Sequence, residues 1–228
     1  MECGTKLSKF DEGVDVDPTY YGSLIGSLRY LTCTRPDIMY SVGIVSRYME
    51  KPKSTHLKAA KRILCYIKIT IDHDLHYTQS KSFQLRAYSD SDYVGDIDDR
   101  KSTTDFVFFL CDTAFTWSSK KQPSVTLSTC EAEYVAASSF FYERSKHIDV
   151  RYHFIREQVK EKEIEISHVK SEDQVADIFT KPLKVDAFWK LKSLLGMIDG
   201  REFGLRGSVR NQTKFMNVET IDKLSSQG

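Results

Sequence analysis

Between residues 88 and 103 the chain reads YSDSDYVGDIDDRKST, which sets Asp90, Asp92, Asp96, Asp98 and Asp99 within one short stretch. Like charges at this density repel one another unless cations sit among them. One reading is a solvated acidic loop balanced by Arg100 and Lys101. A calcium loop is a rival: with Asp90 as first ligand, Asp92, Gly95 and Asp98 fall where an EF-hand places ligands and its glycine. The closing bidentate position is then Lys101, and Val94 takes another ligand place, so calcium is excluded. What remains is magnesium-type chemistry, in which hard oxygen ligands from distant elements hold ions over a phosphate. Paired ions can stabilise both the attacking and the leaving oxygen of a phosphodiester. Two dications about 4 Å apart repel by on the order of 17 kcal/mol at an effective dielectric of about 20, so a single acidic loop cannot hold them. Glu131 and Glu133 at the head of a helix, and Asp177 on a short helix, are further candidates, although each taken alone also reads as a surface carboxylate.

The elements that must position these groups follow from periodicity. Residues 1–16 read as a flexible lead-in. Asp17 before Pro18 suits an N-cap, and Tyr21, Leu24, Ile25 and Leu28 recur at helical spacing. Ile38, Val42, Val45 and Met49 continue on a second helix that Pro52 ends. Ser54 or Thr55 caps a third, with Leu57, Ala60, Leu64 and Ile67 on one face and Lys58, Lys61, Arg62 and Lys68 on the other. The period then changes. Residues 83–87 alternate like a strand, 106–110 form an apolar run suited to a buried strand, and 115–117 are its hairpin partner. Helices are expected over 131–141 and 146–162, a strand over 163–169, a short helix over 173–180 and a last helix over 185–195 ending at Gly196. The division is a lead-in over 1–16, a helical segment over 17–80, an α/β domain over 81–197 and a flexible tail over 198–228.

Composition permits a folded core: of 228 residues 40% are hydrophobic, with 12 Tyr, 13 Phe and 2 Trp. A net charge of +1 says nothing about partners, so local pattern decides. The basic face at Lys58, Lys61 and Arg62, with Lys120, Lys121 and Lys146, reads either as a solvated surface or as a set of phosphate contacts. The five cysteines are odd in number and show no C-x-x-C spacing, which suits reduced thiols inside a cell, cytoplasmic or nuclear rather than secreted. No apolar run reaches the roughly 20 residues of a membrane span.

Taken together, YSDSDYVGDIDDRKSTT (88–104), FTWSSKKQPSVTLSTCEAEYVAAS (115–138), RSKHIDVRYHFIRE (144–157) and VKSEDQVADIFTKPL (169–183) resemble the ribonuclease H domain of copia-type retrotransposon polyproteins. YGSLIGSLRYLTCTRPDI (21–38) and STHLKAAKRIL (54–64) resemble the connection segment that precedes it. The resemblance implies a ribonuclease H-like mixed sheet flanked by helices, acting on RNA in RNA–DNA hybrids with Mg2+ or Mn2+. By position it makes Asp90, Glu133 and Asp177 catalytic, metal-binding carboxylates. The family also has a strand ending in a further Asp, followed by a helix, after the helix that carries Glu133. Here residues 137–141 run directly into 142–147, and no Asp-Asn pair follows Glu133. The resemblance therefore implies a domain short of one strand, one helix and one metal ligand, with impaired hydrolysis. An intact magnesium-dependent nuclease and a non-cutting nucleic-acid-binding remnant are the alternatives. Asp105 stands where the family has a turn glycine, and aspartate tolerates positive φ better than most residues. His168 reads as packed on the strand over 163–169, or as an aid to proton transfer.

Overall fold

The computed structural model describes residues 6–77, 84–141, 160–161 and 165–201. The first half is helical: α1 (Pro18–Leu31), α2 (Met39–Val45) and α3 (Ser54–Ile69), with 3-10 turns at Pro36–Ile38 and Ser46–Tyr48. Asp17 caps α1, accepting from the Thr19 and Tyr20 amides at 2.9 and 3.3 Å, with Pro18 pre-set in the first turn. Tyr21, Ile25 and Leu28 from α1 pack with Val42 and Val45 from α2 and with Ala59, Ala60 and Ile63 from α3. The buried stripe of α3 is thus His56, Ala59, Ala60 and Ile63, and the expected Leu57, Leu64 and Ile67 flank it, partly buried. The reason lies at its first turn. Lys53, not Ser54 or Thr55, is the N-cap residue, and its amide donates to His56 Nδ1 at 3.0 Å. His56 Nε2 in turn lies 3.0 Å from the carbonyl of Ser8, which draws this face inward.

Residues 6–16 are not loose. Tyr48 donates to the Leu7 carbonyl at 2.6 Å, Ser8 to Asp98 at 2.6 Å, and Asp15 bridges Lys53.

The second half is built on an antiparallel sheet in the order β2 (Leu85–Asp92), β3 (Thr103–Leu110), β4 (Thr113–Lys121), with β1 (His73–Leu75) lying apart from it. The helices α4 (Thr129–Phe141), α5 (Asp177–Thr180) and α6 (Val185–Leu194) follow. This is the α/β class expected, with a helical segment ahead of it. Along β3 the burial is that of a central strand, and Val107 and Phe109 join Ala114, Val175, Ile178, Phe179, Leu191 and Leu195 in a second core. The expected strand over 163–169 is absent where it is described: residues 165–170 form no ladder, and β2 pairs with β3 alone among the described residues. The helix expected over 146–162 lies almost wholly outside the described residues. The tail does not begin at 198. Met197–Asp199 forms β5, antiparallel to His73–Leu75, after Gly196 turns the chain at φ 86°. Asp105 is not in a turn but inside β3, and among the described residues the non-glycine positions with positive φ are Val94, Arg100 and Cys111.

The two halves are tied by a buried polar network. Arg35 forks onto Asp37 at 2.9 and 2.8 Å and also reaches the carbonyl and hydroxyl of Thr70 at 3.0 and 2.7 Å. From α6, Lys192 lies 3.2 Å from the same Asp37 carboxylate and donates to Tyr66 at 2.8 Å, while Tyr66 donates to Asp37 at 2.6 Å. Burial works against ionisation of Asp37, but Arg35 and Lys192 prevail and hold its carboxyl below the usual range. Trp117 Nε1 donating to the Thr32 carbonyl at 3.0 Å adds a second tie. Removing the shared anion leaves two buried cations unpaired, which costs about 3–5 kcal/mol. Asp37→Ala is therefore expected to lower the urea unfolding free energy by that amount, and a loss under about 1 kcal/mol would show the network to be dispensable.

Candidate metal and nucleic-acid site

The face that a strand residue presents alternates along the chain, so register decides which carboxylates meet. Asp90 on β2 stands opposite Asp105 on β3, which stands opposite Ser119 on β4. Asp92 lies two residues from Asp90 on the same face. That face is covered by α5, since Thr180 donates to Asp90 Oδ2 at 2.8 Å and Ser119 donates to the Phe179 carbonyl at 2.9 Å. Asp177, in the first turn of α5, comes within hydrogen-bonding reach of Asp90 and pairs with Lys181 at 2.7 Å. Asp90 and Asp177, far apart in sequence, are thus brought together.

Glu133 does not complete a three-carboxylate group with them. Helix α4 packs on the other sheet face, where Gln122 Nε2 joins Thr104 at 2.8 Å, the Ala132 carbonyl at 3.1 Å and Ser91 at 3.4 Å. Ser91 and Thr104 alternate with Asp90 and Asp105, so α4 lies on the face away from α5, and Glu133 on it is exposed. Glu131 starts the helix: its amide donates to Ser128 Oγ at 3.1 Å and its carboxylate accepts from Leu127 N at 2.7 Å, a capping-box-like exchange. Among the described residues no three Asp, Glu, His or Cys side chains stand where they could hold one metal ion.

The carboxylates on the Asp90 face are poorly neutralised. Burial raises the Asp177 carboxyl to about 6; Lys181 opposes the rise and Asp90 adds to it. Burial, then Asp90, also raises Asp92. Asp105 is fully buried, and burial pushes it well above the carboxylate range, with Asp90 and Asp92 adding to the effect. The Ser119 hydroxyl opposes that rise, but its proton goes to Phe179, and neither Asp105 oxygen has a hydrogen-bond partner. Sequence reading missed Asp105 as part of this group because it takes the position for a turn. The hint is the apolar run beginning at Phe106, which can start two or three residues earlier as a strand.

Of the cations expected to balance the acidic loop, Lys101 lies 3.9 Å from Asp99, and two more distant in sequence, Arg47 and Lys121, join it. Asp96 receives Arg47 at 2.9 Å and Lys121 at 2.6 Å, and accepts the amides of Asp98 and Asp99 at 2.9 and 3.2 Å. Burial resists ionisation of Asp96, but these partners hold its carboxyl at about 2. Lys121, expected to face phosphates, is thereby engaged within the fold, with Asp99 also at 2.8 Å. Lys58, Lys61, Arg62 and Lys120 are exposed, and Lys146 lies outside the described residues. His168 is exposed on a segment without strand pairing, so it is not packed as expected.

Sequence comparison finds the chain similar to the retrovirus-related Pol polyproteins of copia-type transposons over most of its length. It is 36% identical over 236 residues to the Pol polyprotein from transposon RE1 of Arabidopsis thaliana, a match covering 86% of this chain and 16% of that protein. To the Pol polyprotein from transposon RE2 of the same plant it is 35% identical, over 87% of this chain and 16% of the relative. To that from transposon TNT 1-94 of Nicotiana tabacum it is 37% identical, over 78% and 16%. The chain thus spans about one sixth of the length of these relatives. No protein-family model and no solved structure matches it.

Asp105 gives this site a pH signature. A carboxyl raised by folding contributes stability below its unfolded value of about 3.9, and that contribution is lost as pH rises towards its folded value. Asp105→Asn is expected to remove this part of the pH dependence and to leave the protein on the order of 1–3 kcal/mol more stable than its parent at pH about 7, with the difference shrinking towards pH about 4. Parallel stability curves for the two proteins, by urea unfolding across that range, would contradict the assignment.

Proposed function

We propose that this chain is a ribonuclease H-like end of a transposon polyprotein with its connection segment, which engages nucleic acid but cuts an RNA–DNA hybrid poorly or not at all. What supports this reading is that Glu133 is carried by a helix packed on the other sheet face and that no three metal-ligating side chains gather among the described residues. Asp90 and Asp177 offer hard oxygens suited to Mg2+ or Mn2+. Two carboxylates, one already paired with Lys181 at 2.7 Å, do not offset the repulsion of paired dications. The site as arranged does not fit a two-ion centre. The match to RE1 runs over 236 positions while taking in 86% of a 228-residue chain, so that relative contributes positions this chain lacks. This supports an internal truncation.

Lys58 and Lys61, exposed on α3, suit backbone contacts that weaken as salt rises. An RNA–DNA hybrid, whose A-form-like shape is read through phosphates and 2′-hydroxyls, is the partner this reading favours. Among the described residues no helix is long and apolar enough to cross a membrane, and an intracellular setting, cytoplasmic or nuclear, goes with a nucleic-acid partner. One observation favours an active enzyme instead: Asp105 places an additional carboxylate opposite Asp90.

Purified full-length chain is to be assayed on a labelled RNA–DNA hybrid with Mg2+ or Mn2+, beside Asp90→Asn and Asp105→Asn. The expected result is a salt-sensitive gel shift, weakened several-fold in Lys58→Ala/Lys61→Ala, with cleavage no greater than that of Asp90→Asn. Metal-dependent cleavage abolished by Asp90→Asn would overturn the reading, and its abolition by Asp105→Asn as well would assign the missing ligand to Asp105.

A further inference from the structure

The sheet is open where β2 ends it. Cys111 N donates to the Gln84 carbonyl at 2.8 Å, so Gln84 faces β3, and by antiparallel alternation so do Arg86, Tyr88, Asp90 and Asp92. Leu85, Ala87, Ser89 and Ser91 then turn their amides and carbonyls to the outer edge. Gln174 Nε2, 3.2 Å from the Ser89 carbonyl, confirms that direction and covers a single acceptor. No other strand pairs with this edge among the described residues. The burial follows: β3 is buried along most of its length, whereas Leu85, Arg86 and Ala87 are exposed. An exposed strand edge with unpaired backbone groups is a template for another strand.

The side chains along this edge make it complementary to itself. Arg86 stands near one end of β2 and Asp90 and Asp92 near the other. If two copies meet antiparallel about a two-fold axis at Tyr88, Ala87 of each exchanges backbone hydrogen bonds with Ser89 of the other. The same register sets Arg86 directly opposite Asp90, twice. Opposite charges facing across an antiparallel pair stabilise it, and like charges destabilise it. Placing the axis at Arg86 instead would oppose two guanidinium groups. Within one copy Arg86 Nη2 donates to the Cys111 carbonyl at 2.7 Å and to Asp112 at 2.8 Å; that carboxylate is 85% exposed, so the ion pair is weak and the rest of the guanidinium can meet a partner across the edge.

We propose that β2 is a self-association edge, pairing antiparallel with β2 of a second copy of this chain through Ala87 and Ser89, with Arg86 against Asp90 at both ends. The proposal does not rest on the nuclease reading. It carries a consequence for Asp90, because in the dimer that carboxylate faces a guanidinium and is withdrawn from any phosphate-bound ion.

The test is sedimentation velocity on the full chain over a concentration series, with circular dichroism to establish folding. Wild type is expected to sediment as a dimer. Ala87→Pro, which removes an outward amide and no β3 hydrogen bond, is expected to sediment as a monomer with an unchanged spectrum. Arg86→Glu and Asp90→Lys should each lose the dimer when alone and regain it when mixed, because only the mixed pair faces opposite charges at both ends. A wild-type monomer at every concentration, a dimer that survives Ala87→Pro, or no recovery on mixing would overturn the proposal. So would slow exchange of the Ala87 and Ser89 amides in a monomer, since that would mean the chain's own residues 163–169 cover the edge.

Discussion

A carboxylate taken out of water needs a counter-charge or donors, and the molecule can be understood by where that need is met. Asp37 has Arg35, Lys192 and the Tyr66 hydroxyl; Asp96 has Arg47, Lys121 and two backbone amides. Both are held below the ordinary carboxylate range and both fasten elements distant in sequence. On the Asp90 face the need is met only in part, by the Thr180 hydroxyl on Asp90 and by Lys181 on Asp177. Asp90, Asp92, Asp105 and Asp177 gather there, Lys181 pairs with Asp177, and three of the four carboxyls are pushed upward. Folding does not require that crowding, and a protein that tolerates it gives up stability at neutral pH.

The helical segment and the sheet are not independent pieces. Asp37 and Tyr66 receive Lys192 from α6, Thr32 receives Trp117 from β4, and Arg47 reaches Asp96 and Thr103. A boundary near residue 80, drawn where the hydrophobic period changes from helix to strand, marks a change of local structure, not of cooperative unit. β1 and β5 make the same point, since residues 73–75 and 197–199 pair across that boundary. For the site this means that α5, which carries Asp177, is fixed between the helical segment and the sheet, so its carboxylate has little freedom to move away from Asp90.

Long periodic elements were legible from residues alone. The α1 stripe, the apolar run that became β3, its hairpin with β4 and the helix ending at Gly196 all follow from spacing and turn chemistry. The meeting of Asp90 with Asp177 was legible only through family resemblance, because no local pattern links positions so far apart. What could not be read depended on tertiary contacts. β1 and β5 are too short to show a period. Asp105 looked like a turn residue because a buried, unpartnered aspartate within a central strand runs against every local preference. Lys121 looked free for phosphate because its partner Asp96 lies across a loop. Residues 163–169 alternate as a strand should, yet 165–170 form none, since alternation alone supplies no ladder partner.

The central claim is that the Asp90 face keeps carboxylates without keeping a paired-ion site. Counting bound Mn2+ by electron paramagnetic resonance on the full chain at neutral pH tests it most directly. The account predicts weak binding, with fewer than two ions held per chain. Two tightly held ions per chain, both released by Asp90→Asn, would contradict it.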